Sequence, residues 1–386
     1  MHDPVGHEEA RSSLARSFLA GALPSSLLLI GPRGVGKQRI ALWTAQVILC
    51  DAPTEAGPCD ACRHCTRVRK VEHPDLHWHM PLQRPKRASS PEKLQDALEA
   101  ARYERLAEIR SAPLRSSWDP ERTAIYLAAA RSIRSSAGSR PSEQGEQIYI
   151  IADAEMLVPQ ESSPEAANAL LKLLEEPPED TRFILTSSEP GRLLETIRSR
   201  TVPMHLGPLD RDRVRDVLVD LAGADPEDAA HAAVLSEGSI GMALGYLPDG
   251  EDPGPLEELR RRAARIVQAA LQGPGEGYRI ALSDFGVSGG QALADLLEHL
   301  DRWLRDLAAA ATGAAEYTAS RDAREWLMST VEKHDLHPVD LARAVELVEQ
   351  ARLEARGNVS PQLIVAGLVG DMRRVLLDAE RVDPAR

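Results

Sequence analysis

The sequence has few aromatic residues, no long apolar run and no excess of basic charge. Only 4% of its 386 residues are aromatic although 43% are hydrophobic, so alanine and leucine carry the apolar content, which favours helices over strands. No stretch approaches about 18 uncharged apolar residues, so we expect no membrane-spanning helix. The formal net charge of −13 argues against an extended nucleic-acid surface. A local basic patch, or DNA bound jointly with other subunits, stays compatible with it.

Cysteine is scarce and confined to one segment. All four cysteines fall within residues 50–65, which leaves none for disulfides elsewhere, so we expect a protein of the reducing cytoplasm. The first ten residues are polar and acidic and lack the apolar core of a signal peptide, in line with that expectation. A chain of this length is expected to hold two or three domains.

The four cysteines have the spacing of metal ligands. Cys50, Cys59, Cys62 and Cys65 form the pattern C-x8-C-x2-C-x2-C, which suits tetrahedral coordination of zinc by thiolates. Four thiolates leave no open position, so the predicted zinc ion is structural. Three alternatives stay open: four unligated thiols, His64 in place of one thiolate, and redox use of one of the C-x2-C steps.

A glycine-rich segment follows the first predicted strand, Ser26–Ile30. Gly31, Gly34, Gly36 and Lys37 form the pattern GxxxxGK and lead into a helical periodicity. The backbone N–H groups of such a loop surround phosphate oxygens, and the lysine and the helix N-terminus add positive charge. The segment therefore predicts a binding site for the phosphates of a nucleotide.

The residues that hydrolysis requires are incomplete. Gln38 occupies the position where a serine or threonine normally holds Mg²⁺. At the end of a second predicted strand, Gln147–Ile151, Asp153 has no carboxylate directly beside it. Glu155 is offset by two residues, and we expect it to face elsewhere. These departures predict that hydrolysis is absent or vestigial, while ATP or ADP can still bind.

Strands alternate with helices over the first half of the chain, which predicts a doubly wound parallel sheet. Further strands are expected at His73–Met80, Arg182–Thr186 and Val202–Leu206. A linker rich in proline and glycine, Pro248–Pro255, precedes Leu256–Ala379, where the whole pattern is that of amphipathic helices. Helices of the first half are predicted at Leu14–Ala22, Pro91–Ile109, Ile125–Ser136 and Pro164–Glu176, and short helices at Asp210–Leu247.

Taken together, these motifs resemble the bacterial clamp-loader AAA+ subunits of DNA polymerase III. The resemblance includes Val5-Gly6-His7, the phosphate loop, the cysteines, His73-Pro74-Asp75, Ala167–Pro178 and Thr196–Arg200. It implies an α/β AAA+ parallel-sheet core with a zinc knuckle, followed by a small helical lid and an all-α C-terminal collar domain. The predicted domains are the core at 1–206, with the knuckle at 50–65 and an insertion at 89–121, the lid at 207–250 and the collar at 255–386.

Within the family, the degenerate site resembles the delta-prime type more than the ATP-hydrolysing gamma/tau type. The aspartate of the acidic motif falls on Ala152 and its glutamate on Asp153, and a glycine of the segment Gly238–Gly241 replaces the second-sensor arginine. Ser187 matches the first-sensor position. The resemblance therefore implies a subunit that retains the fold but has a defective site.

The resemblance also gives a role to an arginine. Ser199-Arg200-Thr201 occupies the Ser-Arg-Cys motif of the family, which implies that Arg200 is an arginine finger acting in trans on a gamma/tau ATP site. The implied partners are the gamma/tau and delta subunits, the sliding clamp and, through the complex, primer–template DNA, with no membrane.

Two rival functions stay open: a gamma/tau-like subunit that hydrolyses ATP, and a zinc-dependent DNA-binding regulator that would use the basic run from Arg63 to Lys70.

The insertion has no assigned role and is expected to face solvent. Its Arg102, Arg105 and Arg115 fit a solvated helix face better than a DNA contact.

Overall fold

The computed structural model describes residues 2–85, 90–114, 123–143, 145–157, 164–273, 290–355 and 359–377, together with residues 275 and 279. The described chain divides into two compact units, one up to Leu244 and the other from Gly245 onward. Within these ranges, no helix has both the length and the apolar character needed to cross a membrane.

The first unit alternates strands and helices. Its elements are, in order, α1 (Glu8–Leu19), β1 (Ser26–Ile30), α2 (Lys37–Leu49), α3 (Arg63–Arg69), β2 (Leu76–His79), β3 (Leu82–Gln83), α4 (Pro91–Ser111), β4 (Thr123–Ala124), α5 (Leu127–Ser136), β5 (Gln147–Ile151), α6 (Glu165–Glu175), β6 (Thr181–Ser187), α7 (Glu195–Arg198), β7 (Val202–His205), α8 (Arg211–Asp220), α9 (Pro226–Leu235) and α10 (Ile240–Tyr246). The last helix extends past Leu244. Short 3-10 turns lie at Ala154–Leu157 and Pro190–Arg192.

Five strands form one parallel sheet in the order β2-β5-β6-β1-β7. This confirms the predicted parallel α/β core. Strands β1 and β5 are mostly apolar and buried, since helices cover both faces of such a sheet. Strand β7 lies at an edge, where Pro203 is tolerated because no further strand needs its N–H. Strands β3 and β4 pair separately and antiparallel.

The core lies on both faces of the sheet. Leu27 and Leu29 of β1 join Ile150 of β5 in a cluster with α1 and α2, whereas Leu28 and Tyr149 join a cluster with α5 and α6. Alternate residues separate because side chains of a strand point to opposite faces in turn. The phosphate-loop strand is thereby fixed from both sides.

Some predicted boundaries were wrong. The first helix begins at Glu8 rather than Leu14 and ends at Leu19, with Glu8 and Glu9 in its first turn, where negative charge complements the helix N-terminus. Strand β2 covers only Leu76–His79 of the predicted His73–Met80.

The insertion contains the predicted helix, α4, most of which is exposed or half-buried as expected, but one face of it, with Leu98, Arg102 and Leu106, is buried. Leu106 belongs to the cluster that packs on α1 and α2. Arg102 is buried, donates from Nε and Nη2 to Glu99 Oε2 at 3.0 and 2.7 Å, and lies over an aromatic ring of its own helix. Arg105 is paired within the helix, and Arg115 lies outside the described residues. Arg102 is therefore a packing residue and not part of a solvated face.

The described residues of the second unit form helices joined by turns and contain no strand. Its helices are α11 (Pro255–Gln272), α12 (Gly290–Ala311), α13 (Arg324–His334), α14 (Pro338–Ala355) and α15 (Pro361–Leu377). Leu297, Leu300 and Leu304 of α12 are buried in it, and α12 packs against α11 and α14. Arg260 is buried against Glu257. These helices confirm the prediction of a mostly helical C-terminal part, whereas the predicted lid and collar boundaries stay predictions.

Candidate nucleotide and metal sites

The phosphate loop leaves the carboxyl end of β1 and enters α2. The Gly31 N–H donates to the Ser187 carbonyl at 3.2 Å, which fixes the start of the loop to β6. Gly34 and Gly36 have φ values of +73° and +112°, in the left-handed region that favours glycine. The pattern GxxxxGK therefore forms the strand–loop–helix unit that it predicts.

Every carbonyl of residues 31–35 accepts a hydrogen bond. The donors are Lys37 Nζ to Gly31 O (2.9 Å) and Pro32 O (2.8 Å), Ser239 Oγ to Arg33 O, Gly241 N to Gly34 O (2.9 Å), and His7 Nε2 to Val35 O (3.0 Å). By contrast, the N–H groups of Gly34, Gly36 and Lys37 meet no acceptor in the described part of the chain. A loop with its carbonyls engaged and its N–H groups available has the chemistry of an anion cradle.

Lys37 is almost wholly buried, and its ammonium is saturated. Nζ donates to two loop carbonyls and to Ser188 Oγ at 2.7 Å, which uses all three ammonium protons. Burial lowers the pKa of Lys37, and the charges of Asp153 and Glu155 oppose that shift. A phosphate in the cradle would therefore exchange with one of these acceptors.

Gln38 and Asp153, both predicted at the site, lie side by side. Gln38 Nε2 donates to Asp153 Oδ2 at 3.2 Å. Burial, and then the charge of Glu155, raise the pKa of Asp153 to about 6, against the opposing charges of Lys37 and Arg33. The Gln38 amide thus places a hydrogen-bond donor where an ATPase has a metal ligand.

The expectation that Glu155 faces elsewhere was wrong. It is 3% exposed, Oε1 accepts from the Ser188 N–H at 3.0 Å, and Oε2 has no hydrogen-bond partner among the described residues. The 3-10 turn at Ala154–Leu157 returns this side chain toward the loop. Two carboxylates therefore influence Lys37, although neither stands at the aspartate position occupied by Ala152.

The sequence predicted Ser187 at the first-sensor position, but its neighbour Ser188 is the serine that contacts the phosphate-loop lysine. Ser187 is fully buried and its Oγ has no hydrogen-bond partner in the described ranges, whereas Ser188 contacts Lys37. Consecutive residues at a strand end point in opposite directions. The register of β6 could have indicated Ser188, and sequence reasoning missed both this residue and Glu155.

The four cysteine thiols converge. Their Sγ atoms lie within 4.8 Å of one another, and no disulfide joins them. The Cys59–Cys65 Sγ distance is 3.9 Å, close to the ~3.8 Å edge of a tetrahedron with 2.3 Å metal–sulfur bonds. The cluster therefore fits a tetrahedral metal ion.

Backbone N–H groups donate to the cysteine sulfurs, which favours the thiolate form that ligates a metal ion. Cys50 Sγ accepts from Ala52 N and Cys59 N at 3.4 and 3.2 Å, and Cys62 Sγ accepts from Cys65 N at 3.3 Å. Burial raises the pKa of Cys50 and of Cys65, so a bound cation is what would keep them as thiolates. The donor set is all sulfur.

His64 does not join the cysteine ligand set. Its Nδ1 shares a hydrogen bond of 2.7 Å with His73 Nε2, and its Nε2 accepts from Arg63 Nε at 3.1 Å. It groups instead with His73 and Glu143. The alternative in which His64 replaces a thiolate is therefore disfavoured.

The basic run beside the cluster is largely paired. Arg67 contacts Glu143 and Arg69 contacts Asp60, each at 2.5 Å. Lys70 is exposed. The acidic partners offset much of the charge that a DNA-binding surface would need.

Arg200 lies just after α7, apart from the phosphate loop. Its polar contacts in the described chain are with Glu175 Oε2, at 2.9 Å from both Nε and Nη2, and with the Thr196 carbonyl, at 3.0 Å from Nη1. Its side chain is 28% exposed. Arg200 therefore keeps part of its guanidinium available at the surface.

Comparison with known proteins agrees with the motifs. Residues 6–210, more than half of the chain, match the profile of the family described as "DNA polymerase III, delta subunit". The tau subunit of Escherichia coli DNA polymerase III is 27% identical over 317 residues, which are 77% of this chain and 42% of that protein. The delta-prime subunit of Bacillus subtilis is 29% identical over 207 residues, 54% of this chain and 49% of that protein. The chain thus spans less than half of either relative.

Among solved structures, a DNA polymerase III gamma subunit-related protein of Thermotoga maritima is a distant likeness. Its TM-score is 0.40 at 16% identity, over 94% of this chain and 98% of that one. The family match rests on the sequence and covers the whole parallel-sheet core, the phosphate loop and the cysteine cluster. The chain therefore belongs to the DNA polymerase III delta-subunit family and, within it, to the AAA+ clamp-loader subunits of the delta-prime type.

Proposed function

We propose that this chain is the stator of the DNA polymerase III clamp loader, which helps to load the sliding clamp on primed DNA without hydrolysing ATP itself. The observation that carries the proposal is the Gln38–Asp153 hydrogen bond. An amide N–H₂ cannot ligate Mg²⁺, and Ala152 supplies no carboxylate for a metal water. The gamma/tau and delta subunits are the proposed partners.

The phosphate loop is proposed to bind ATP or ADP passively. The N–H groups of Gly34, Gly36 and Lys37 would hold phosphate oxygens, with the Lys37 ammonium as counter-charge. Gly31 sets the turn of the loop, and Ser187 fixes it through its carbonyl. Nucleotide would then act as a structural ligand that ties the loop to its surroundings.

The cysteine cluster is proposed to hold a structural Zn²⁺. Cys50, Cys59, Cys62 and Cys65 supply four sulfurs at tetrahedral spacing, and such sites leave no position for substrate. The bound ion would organise the segment before α3, where Cys62 caps the helix by accepting from Cys65 N.

Arg200 is proposed to act in trans on the ATP site of an adjacent gamma/tau subunit. Its guanidinium would stabilise the charge that develops on the transferred phosphoryl group, an effect worth roughly 10³- to 10⁵-fold in rate. The resemblance of Ser199-Arg200-Thr201 to the Ser-Arg-Cys motif supports this role, together with the partial exposure of the side chain.

The deciding experiment measures ATP turnover by the purified chain alone, and then in the complex reconstituted with gamma/tau, delta, clamp and primed DNA. We expect no turnover by the chain alone. Arg200→Ala should leave assembly intact and cut DNA-stimulated ATPase by roughly tenfold or more, whereas the exposed neighbour changed in Arg198→Ala should leave it unchanged.

Two results would overturn the proposal. Robust turnover by the isolated chain would favour the gamma/tau-like alternative, with Gln38 and Asp153 sufficient for catalysis. Full activity of the complex with Arg200→Ala would reject the trans finger. The DNA-binding regulator predicts salt-sensitive DNA binding by the chain alone, and the pairing of Arg67 and Arg69 disfavours it.

A further inference from the structure

We propose that Glu175 is a positioning residue for Arg200, which it holds in an orientation that leaves N–H groups on both terminal nitrogens available to another acceptor. This inference rests on the proposed trans role of Arg200. Glu175 is the last residue of α6, and Arg200 follows α7, so the pair joins two separate elements of the unit. No motif identified in the sequence assigned this glutamate a task.

The contact fixes one edge of the guanidinium. Nε and Nη2 of Arg200 both lie 2.9 Å from Glu175 Oε2, and Nη1 donates to the Thr196 carbonyl at 3.0 Å. A guanidinium carries five N–H groups in one plane. Nε and Nη1 each donate one, and Nη2 lies in ion-pair contact with the same carboxylate oxygen, so both terminal nitrogens keep N–H groups for another acceptor. A pair of N–H groups from neighbouring nitrogens suits the oxygens of a phosphoryl group.

Both partners sit on backbone that the core holds in place. Leu174, next to Glu175, and Ile197, three residues before Arg200, are buried in the same apolar cluster. The Arg200 N–H donates to the Ile197 carbonyl at 3.1 Å. The carboxylate therefore acts as a fixed point against which the long arginine side chain is oriented.

The pair is suited to orienting a side chain rather than to stabilising the fold. The side chain of Glu175 is 55% exposed, and ion pairs this accessible to water add little to folding stability. An arginine has much rotamer freedom to lose when it binds a phosphate. Holding it beforehand removes part of that loss, which raises the rate without tightening ATP binding.

The same contact could instead sequester the arginine from the neighbouring site, and the two roles differ in sign. If Glu175 positions Arg200, its removal slows ATP hydrolysis, whereas removal of a sequestering carboxylate would speed it. The N–H groups left on the terminal nitrogens, the partial exposure of Arg200 and the screening of an exposed carboxylate favour positioning.

The test compares Glu175→Ala and Glu175→Gln with Glu176→Gln in the reconstituted complex with clamp and primed DNA. Glu176 is the exposed neighbouring glutamate, and it makes no side-chain ion pair in the described chain. We expect Glu175→Ala to lower kcat of the DNA-stimulated ATPase by about three- to tenfold, from the rotamer freedom that Arg200 regains. KM for ATP and the thermal midpoint should not change. Glu175→Gln keeps a hydrogen-bond acceptor and should lose less, and Glu176→Gln should match the unaltered complex.

A double variant separates this inference from the function on which it rests. Glu175→Ala combined with Arg200→Ala should be no slower than Arg200→Ala alone, since residues that act as one unit are not additive. Additive losses would overturn the positioning role, as would an unchanged or higher kcat in Glu175→Ala while Arg200→Ala is slow. If Arg200→Ala itself has no effect, the proposed finger fails, and this inference fails with it.

Discussion

Replacement of Gly34 by alanine is the sharpest test of how the phosphate loop is held. At φ +73°, a Cβ on Gly34 would lie 2.7 Å from the Met242 nitrogen and 3.0 Å from Gly241. A left-handed alanine costs about 1–2 kcal/mol, and a forced backbone shift costs about 1–3 kcal/mol. We expect the unfolding free energy of the first unit to fall by roughly 2–5 kcal/mol, the sum of the two costs.

Substitution of Gly241 separates the cost of the steric contact with Gly34 from the cost of the left-handed backbone. Gly241→Ala would place a Cβ 2.8 Å from the Gly34 Cα without a left-handed backbone, so only the shift of about 1–3 kcal/mol is expected. Because both changes fill the same space, the double variant should lose less than the sum of the single variants. Gly191→Ala is the matched control, since its Cβ meets nothing within 4 Å.

The assay is urea unfolding combined with hydrogen exchange of the α2 amides, which reports on the first unit alone. The Gly191 variant should exchange like the unaltered chain, and the Gly34 variant faster at α2. Equal protection in the two variants would refute the reasoning, because it would mean that residues 239–241 do not pack on the loop.

Two further predictions concern the metal and pH. Removal of metal by a chelator, or Cys65→Ser, should lower the thermal midpoint and release one Zn²⁺ per chain by elemental analysis, because structural zinc contributes folding energy directly; a metal-free chain of unchanged stability would contradict it. The pKa of Asp153 is about 6 against an ordinary value of 3.8, so the folded chain binds more protons than the unfolded chain between about pH 4 and 6. Stability from this group is therefore fully present below pH 4 and is lost as pH rises to 6, by at most about 3 kcal/mol. Asp153→Asn should flatten that part of the pH–stability profile, and parallel profiles would contradict the burial of a charged Asp153.

Local patterns were enough to predict the parallel core. The apolar runs of β1 and β5 are buried on both faces. Apolar segments that alternate with helices are usually buried in this way, in a parallel sheet with helices on both faces. The phosphate loop and the metal site could be predicted from residue type. Glycine indicates a positive φ, and four closely spaced cysteines indicate four metal ligands. These features could be predicted because each depends on a short segment.

Features that depend on contacts between segments could not be predicted. Glu155 turns toward the loop because a 3-10 turn follows Asp153, and Ser188 reaches Lys37 because β6 ends one residue earlier. Arg102 is buried because Glu99 accepts its N–H groups and the helix packs on the core. A charged residue on a helix is solvated by default, and only the tertiary structure shows the exception.

The residues of the phosphate-loop motif stabilise the fold of the loop, in addition to any role in binding a nucleotide. Loss of the Lys37 side chain would leave the Gly31 carbonyl and the Ser188 hydroxyl without this donor, and the Pro32 carbonyl with the Val35 N–H alone at 3.3 Å. A Cβ on Gly31 would collide with the Leu206 carbonyl. Their presence therefore follows from the fold alone and is weak support for hydrolysis. Arg200 makes its contacts at the surface and keeps N–H groups on both terminal nitrogens for another acceptor. The function of the chain is therefore better tested at Arg200 than at the loop.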